Sequence, residues 1–170
     1  NTFRYQIVNK FTDALMEGLG SIVQYLEDVD ESLTQISIVS GKSRTSLAGF
    51  LKTAEDAAKS LGSTTSNYLE AAQIFYQQGL SNADVIARTN ATIKAANISG
   101  QSVSDTASQV TAVLNGFNLQ GSAINDTLSV MAALGATTAA DFEQLATAAQ
   151  KVASAASNVG LSLNGTMSAI

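Results

Sequence analysis

From Gly79 to Ile170 the sequence repeats one helical phrase. A glycine closes a helix, a serine or threonine opens the next with an acid or amide three residues on, and an apolar stripe follows. Ser81 pairs in this way with Asp84, Ser102 with Asp105, Ser122 with Asn125 and Thr138 with Asp141, and the stopping glycines are Gly79, Gly100, Gly116, Gly135 and Gly160. The hydroxyl accepts from an orphan N–H of the first turn, and the acid at N3 reaches back and favours the positive helix end. Glycine just past the end adopts the left-handed conformation at low cost. A unit of about twenty residues with one helix each predicts a stacked array of short helices.

Upstream, the spacing predicts one long helix from about Thr2 to Val39. Ile22, Leu26, Val29, Leu33 and Ile36 alternate spacings of four and three, and Ile7, Phe11, Leu15 and Leu19 extend the stripe every four residues. This is a coiled-coil-like seam, with Gly18-Leu19-Gly20 as its expected weak point. Ser40 to Thr45 reads as a linker, with Gly41 stopping the first helix and Lys42 and Arg44 near its negative end.

Further helices are expected over about Ser46–Leu61 (stripe Leu47, Leu51, Ala54, Ala58 and Leu61, with Phe50 beside it) and from a cap at Asn67 to Gly79 (Leu69, Ala72, Phe75 and Tyr76). Next come Asn82–Asn97 (Ile86, Thr89, Ile93 and Ala96) and Val103–Phe117 (Val103, Ala107, Val110, Leu114 and Phe117). Ala123–Leu134 (Ile124, Leu128, Met131 and Leu134), Ala139–Val159 (Phe142, Leu145, Ala149, Val152, Ala156 and Val159) and a helix from Asn164 complete the series. Proline is absent and no stretch alternates with period two, so no strand is expected. The fold class is all-α: one long N-terminal helix, then a compact array of short antiparallel helices, because each stripe is too short to stand alone and short loops favour antiparallel neighbours. The chain divides into a helix over residues 1–39 and a helical domain over 40–170, read as a piece of a longer protein.

The residue inventory excludes much chemistry. The chain has neither Cys nor His, which removes disulfides, Cys and His metal sites and histidine-assisted nucleophiles. Net charge is −5 and the pI about 4.5, with no basic stripe for nucleic acid. The acids Glu27, Asp28, Asp30 and Glu31 lack the loop glycine and spacing of a calcium hand and read as a solvated face. Gly18-Leu19-Gly20 and Gly41-Lys42-Ser43 each lack the strand and further glycine of a phosphate loop. Neighbouring acids Glu55 and Asp56 diverge on a helix, as do Asp141 and Glu143. The Asn-x-Ser/Thr matches at Asn90, Asn97, Asn125 and Asn164 are expected from composition, without a secretion signal to support them. No catalytic, cofactor-binding or metal residue is assigned, no cofactor is expected and no membrane span is found.

Charge falls away along the chain. Fourteen of the charged residues lie in the first 60, whereas from Thr106 to Ile170 only Asp126, Asp141, Glu143 and Lys151 remain. That half is either a neutral polar surface or a face that packs on copies of itself or a partner.

The order of phrases resembles the core region of phage tail tape measure proteins. The passage "LNGFNL", then DTLSVMAALGATTAADFEQLATAAQKVASAASNVGLSL from Asp126 to Leu163, carries most of the resemblance, which extends over Ser40 to Ile170. It implies a structural virion protein of a phage or prophage-derived tail. Such a protein occupies the tail tube, sets tail length, helps assembly and leaves before DNA passes. The implied partners are tail tube, tail-tip or baseplate and tail assembly chaperone proteins, with self-association and no sequence-specific nucleic acid. A second reading is a secretion-effector-like interaction or translocation module, since weakly charged helices suit transient contact with a host membrane. Neither reading makes the chain an enzyme.

Overall fold

A computed structural model describes residues 2–119, 123–137 and 142–167. Among them the regular elements are α1 (Thr2–Ser40), α2 (Arg44–Ser60), α3 (Thr65–Gln77), α4 (Asn82–Ser99), α5 (Val103–Gly116), α6 (Ile124–Thr137), α7 (Phe142–Asn158) and α8 (Leu163–Met167), with no strand. The class is all-α, as expected.

The caps explain most of these boundaries. Ser81 Oγ accepts from the Asp84 N–H at 3.2 Å and donates to Asp84 Oδ2 at 2.7 Å, while Ser102 makes the same pair of bonds with Asp105 at 3.0 and 2.7 Å. The N3 carboxylate therefore satisfies the cap hydroxyl, a variation on the expected return to the cap N–H. Gly41, Gly62, Gly79, Gly100 and Gly160 take left-handed φ of 66 to 75° at helix ends. At Gly100 this lets the N–H reach Ala96 O at 2.8 Å and close the last turn. The caps expected at Ser122, Thr138 and Asp141 lie outside the described residues.

Several expectations need correction. α1 runs unbroken through Gly18-Leu19-Gly20, since glycine lowers helix propensity without forbidding the helix. The cap of α2 is Ser43, whose Oγ accepts from the Ser46 N–H, so Arg44 opens α2 rather than closing α1. The cap of α3 is Thr64, and Asn67 supplies the N–H that Thr64 binds. Gly135 lies within α6. Gly116 is the last residue of α5, and the left-handed residue there is Asn118, with φ 52°.

Gly116 serves packing instead. A Cβ built on it would lie 2.4 Å from Ala153 Cβ, so α5 meets α7 at a distance only glycine permits.

α3 is the hub, packed against α1, α2, α4 and α5. Tyr68, Leu69, Ala71, Ala72, Phe75 and Tyr76 are all buried on it. Tyr25 Oη lies 3.5 Å from Thr65 Oγ1 at the start of α3, and Gln35 and Gln73 line one groove further along, so α3 runs in the direction of α1. The main core joins Val29 and Ile36 of α1 to Leu47, Phe50, Ala54 and Ala58 of α2, the α3 residues, Val85, Ile93 and Ala96 of α4, and Val103 and Ala107 of α5. Phe50 meets Tyr76 edge-on at 5.4 Å and Tyr68 at 6.5 Å. Each such side chain contributes roughly 1.5–3 kcal/mol by burial.

A second core joins Val113 and Phe117 of the α5 end, Met131, and Leu145, Ala146, Ala149, Ala153 and Ala156 of α7 with Leu163. Ala91, Val110, Leu114 and Ile124 form a small cluster where α4, α5 and α6 meet. The α5 stripe is buried throughout, as expected, whereas Val159 is 73% exposed because α7 ends at Asn158. The side chains of Ile7, Phe11, Leu15, Leu134 and Phe142 lie outside the described ones.

Candidate functional site

The long-helix seam is divided by the fold. Leu19, Ile22, Leu26, Val29, Leu33 and Ile36 continue one register at spacings of three and four. Val29 and Ile36 are buried and Leu33 half-buried under the array, but Leu19, Ile22 and Leu26 are 56–58% exposed. Met16 and Val23 widen this apolar face, while Gly20, Ser21, Gln24, Glu27 and Asp28 form the polar back. The cover begins at Tyr25, whose hydroxyl lies 3.3 Å from Glu55 Oε1 and reaches Thr65 where α3 begins. Upstream of that point no element of the array lies over the described seam residues, so their apolar atoms face solvent. A contiguous exposed apolar face of this kind marks an interaction surface.

A second feature lies inside. Arg88 on α4 is 6% exposed. Its Nη1 donates to Gln78 Oε1 at 3.3 Å, and Gln78 Nε2 donates to Ile74 O and to Thr111 Oγ1 of α5. Among the described residues Nε has no partner, nor do the buried hydroxyls of Thr89 and Thr92. Burial lowers the Arg88 pKa, with the charge of Asp84 one turn away partly opposing. Burial likewise pushes Tyr68 and Tyr76 up to about 12, their hydroxyls donating to Asn90 Oδ1 at 2.8 Å and Asn82 Oδ1 at 2.9 Å.

Asp28 and Glu31 line one open groove with Glu70, and several of the acids have partners of their own. Asp30 pairs with Arg44, Asp28 accepts from Gln24 at 2.7 Å, Glu55 accepts from Tyr25, and Glu143 accepts from Gln101 Nε2 at 3.2 Å. No three described His, Cys, Asp or Glu residues are grouped to hold a metal. Ser43, the last residue of the Gly41-Lys42-Ser43 run, spends its hydroxyl on the α2 cap. Asn90 and Asn97 are engaged as well, the latter donating to Leu61 O at 2.7 Å. Phe75, Tyr76 and Phe117 are core residues.

The burial of Arg88 escaped the sequence reading, because an arginine between apolar positions ordinarily reads as surface. No described helix is long and apolar enough to cross a membrane. From Ser108 onward the exposed side chains are mostly Ser, Thr, Asn and Gln.

The sequence pattern described as phage-related minor tail protein matches residues 52–170, from the middle of α2 to the end of the chain. No curated protein and no solved structure matches.

Proposed function

The chain belongs to the phage-related minor tail protein family, and from that premise we propose that it acts as the tail tape measure protein. It is a structural component of a phage tail; the finer reading is that it occupies the tube, sets tail length, assists assembly and is released when DNA is ejected. The observation that carries this is the family match over 52–170 together with the tape-measure-like passage from Asp126 to Leu163. On this reading residues 40–170 are the tape-measure core and residues 1–39 a coiled-coil-like lead, although Val29 and Ile36 of the lead also pack into the core.

A ruler must be long. A continuous helix of the whole chain would span about 255 Å, against about 58 Å for the 39 residues of α1 alone. Length measurement by this segment therefore requires the array to open. The test is tail length by electron microscopy after in-frame duplication of Arg44 to Ile170 in the parent gene. Tails lengthened in proportion to the added residues support a counted, extended segment. Unchanged tails make it a folded passenger, and particles lacking the gene product overturn the tail role.

Tail tube, tail-tip or baseplate and assembly chaperone proteins are the proposed partners, and the exposed α1 seam is the proposed self-association face. Its heptad register and apolar a, d and e positions suit helices of its own kind. Sedimentation of the chain against Leu19→Asp/Ile22→Asp tests this, the variant being expected to run as a monomer. The same apolar face supports the second reading, a translocation module in transient membrane contact. Strong leakage of liposomes by the chain, lost in the double variant, would favour it. No catalytic role is proposed, and cell-wall zymography showing lysis would overturn that.

A further inference from the structure

α5 belongs to both cores. Val103 and Ala107 in its first half lie in the first core, while Val113 and, just past its end, Phe117 lie in the second. Between them Val110 and Leu114 pack with Ala91 of α4 and Ile124 of α6. None of the described residues of α6, α7 or α8 enters the first core. Those three helices pack on one another, with α7 on α5 and α6 on α4 and α5. The array is therefore a platform of five helices that carries a unit of three.

The two sides of α5 are fastened by different means. Within the platform, Tyr68 and Tyr76 of α3 bond Asn90 and Asn82 of α4. Gln78, at the end of α3, accepts from Arg88 of α4 and donates to Thr111 of α5. Asn97 of α4 donates to Leu61 O at the end of α2. Opening the platform anywhere breaks such bonds together with the ring contacts of Phe50. Toward the unit, α7 presents Ala146, Ala149, Ala153 and Ala156, each of which buries little area. Dispersion falls steeply with separation, so a slight withdrawal of α7 from Gly116 forfeits these contacts together. The bond of Gln101 Nε2 to Glu143 Oε2, at 3.2 Å, lies in exposed ground, where water replaces it at little cost.

We propose that the array parts along α5: α6, α7 and α8 leave as one unit, while α5 stays on α3 and α4 with Val103 and Ala107 in the first core. The proposal deepens and rests on the tail reading, which needs an array that opens. Its test is read on the chain alone, so its failure leaves tail length and tail assembly to be judged separately.

The absence of native cysteine permits a direct test. Single cysteines replace Ala72 in α3, Ala107 in the first half of α5, Val113 in its second half and Ala149 in α7, all fully buried in the closed form. Thiol labelling under native conditions then reports opening at each place. Val113→Cys and Ala149→Cys are expected to label at matching rates, about tenfold or more faster than Ala107→Cys and Ala72→Cys. Gly116→Ala, which forces the α5–α7 contact apart, is expected to speed the first two about tenfold and leave the other two unchanged. Amide exchange of the unsubstituted chain, faster in α7 than in α3 and the first half of α5, serves if a cysteine variant loses its helical spectrum. Labelling of Ala107→Cys as fast as Val113→Cys overturns the proposal, because α5 would then leave the platform whole. Labelling of Ala149→Cys no faster than Ala72→Cys, fast labelling of Ala149→Cys with Val113→Cys slow, or an equal response of all four sites to Gly116→Ala overturns it as well.

Discussion

The two cores are built from different materials. The first, spanning α1 to α4 with Val103 and Ala107 of α5, packs around Phe50, Tyr68, Phe75 and Tyr76, fixed by edge contacts and tyrosine hydroxyl bonds. The second, from the end of α5 to α8, packs Phe117, Met131 and Leu145 against the alanine face of α7 (Ala146, Ala149, Ala153 and Ala156), and with one aromatic ring it gains closeness where the first gains area. Gly116 against Ala153 is the extreme of that closeness. An aromatic core stores stability in a few large side chains, whereas an alanine core spreads it over many small contacts that a slight shift of one helix forfeits together. The second half is also nearly free of charge, so its helices present little that must be desolvated to slide or re-pair. A protein needing one anchored half and one adaptable half would be built this way.

The largest expected effect is on the anchor. Phe75→Ala should cost about 3–5 kcal/mol and Leu145→Ala in the second core about 2–5 kcal/mol, measured by urea unfolding. If Leu145→Ala costs as much as Phe75→Ala, the second core is no softer than the first and the contrast fails. Next comes the helix contact itself. Gly116→Ala should destabilise by about 1–3 kcal/mol, and Ala153→Gly should restore much of the loss in the double variant, as a cavity-for-clash exchange. Absence of coupling between the two would mean that α5 and α7 adjust freely.

Alkaline pH probes the tyrosines of the first core. Tyr68 and Tyr76 ionise near 10 when unfolded and at about 12 when folded. Their stabilising effect is therefore intact below pH 10 and lost as pH rises toward 12, because the unfolded chain gives up its protons first. Tyr68→Phe should flatten that alkaline loss in pH-dependent melting while leaving the shape of the neutral-pH transition unchanged; an unaltered slope would place the titration elsewhere. The smallest effect is expected at Glu55→Ala, within about 0.5 kcal/mol, since its bond to Tyr25 is long and exposed. A larger loss would make the α1–α2 contact part of the anchor.

Much of this was readable residue by residue. The caps at Ser81 and Ser102, the stop at Gly100 and the α5 stripe are local events, decided within four residues of chain. Gly116 misled because a glycine before a polar turn has two uses, ending a helix or admitting another, and the second depends on Ala153, far away in sequence. The candidate interaction face was half visible. The seam on α1 could be followed along its length, but nothing in Leu19, Ile22 or Leu26 distinguishes them from Val29 or Ile36.

By itself, then, the sequence determined the helices: their number in the repeat, most of their ends and which side of each is apolar, because capping and periodicity act through neighbouring backbone groups. The family assignment over 52–170 is likewise a property of the sequence. Only the tertiary structure decided which apolar side is covered and by what. It placed α3 at the centre, left the upper α1 seam open, brought α5 onto α7 at glycine distance and enclosed Arg88 without a carboxylate. Coverage depends on which distant helix arrives, and that is settled by packing the whole set of stripes at once rather than by any one of them.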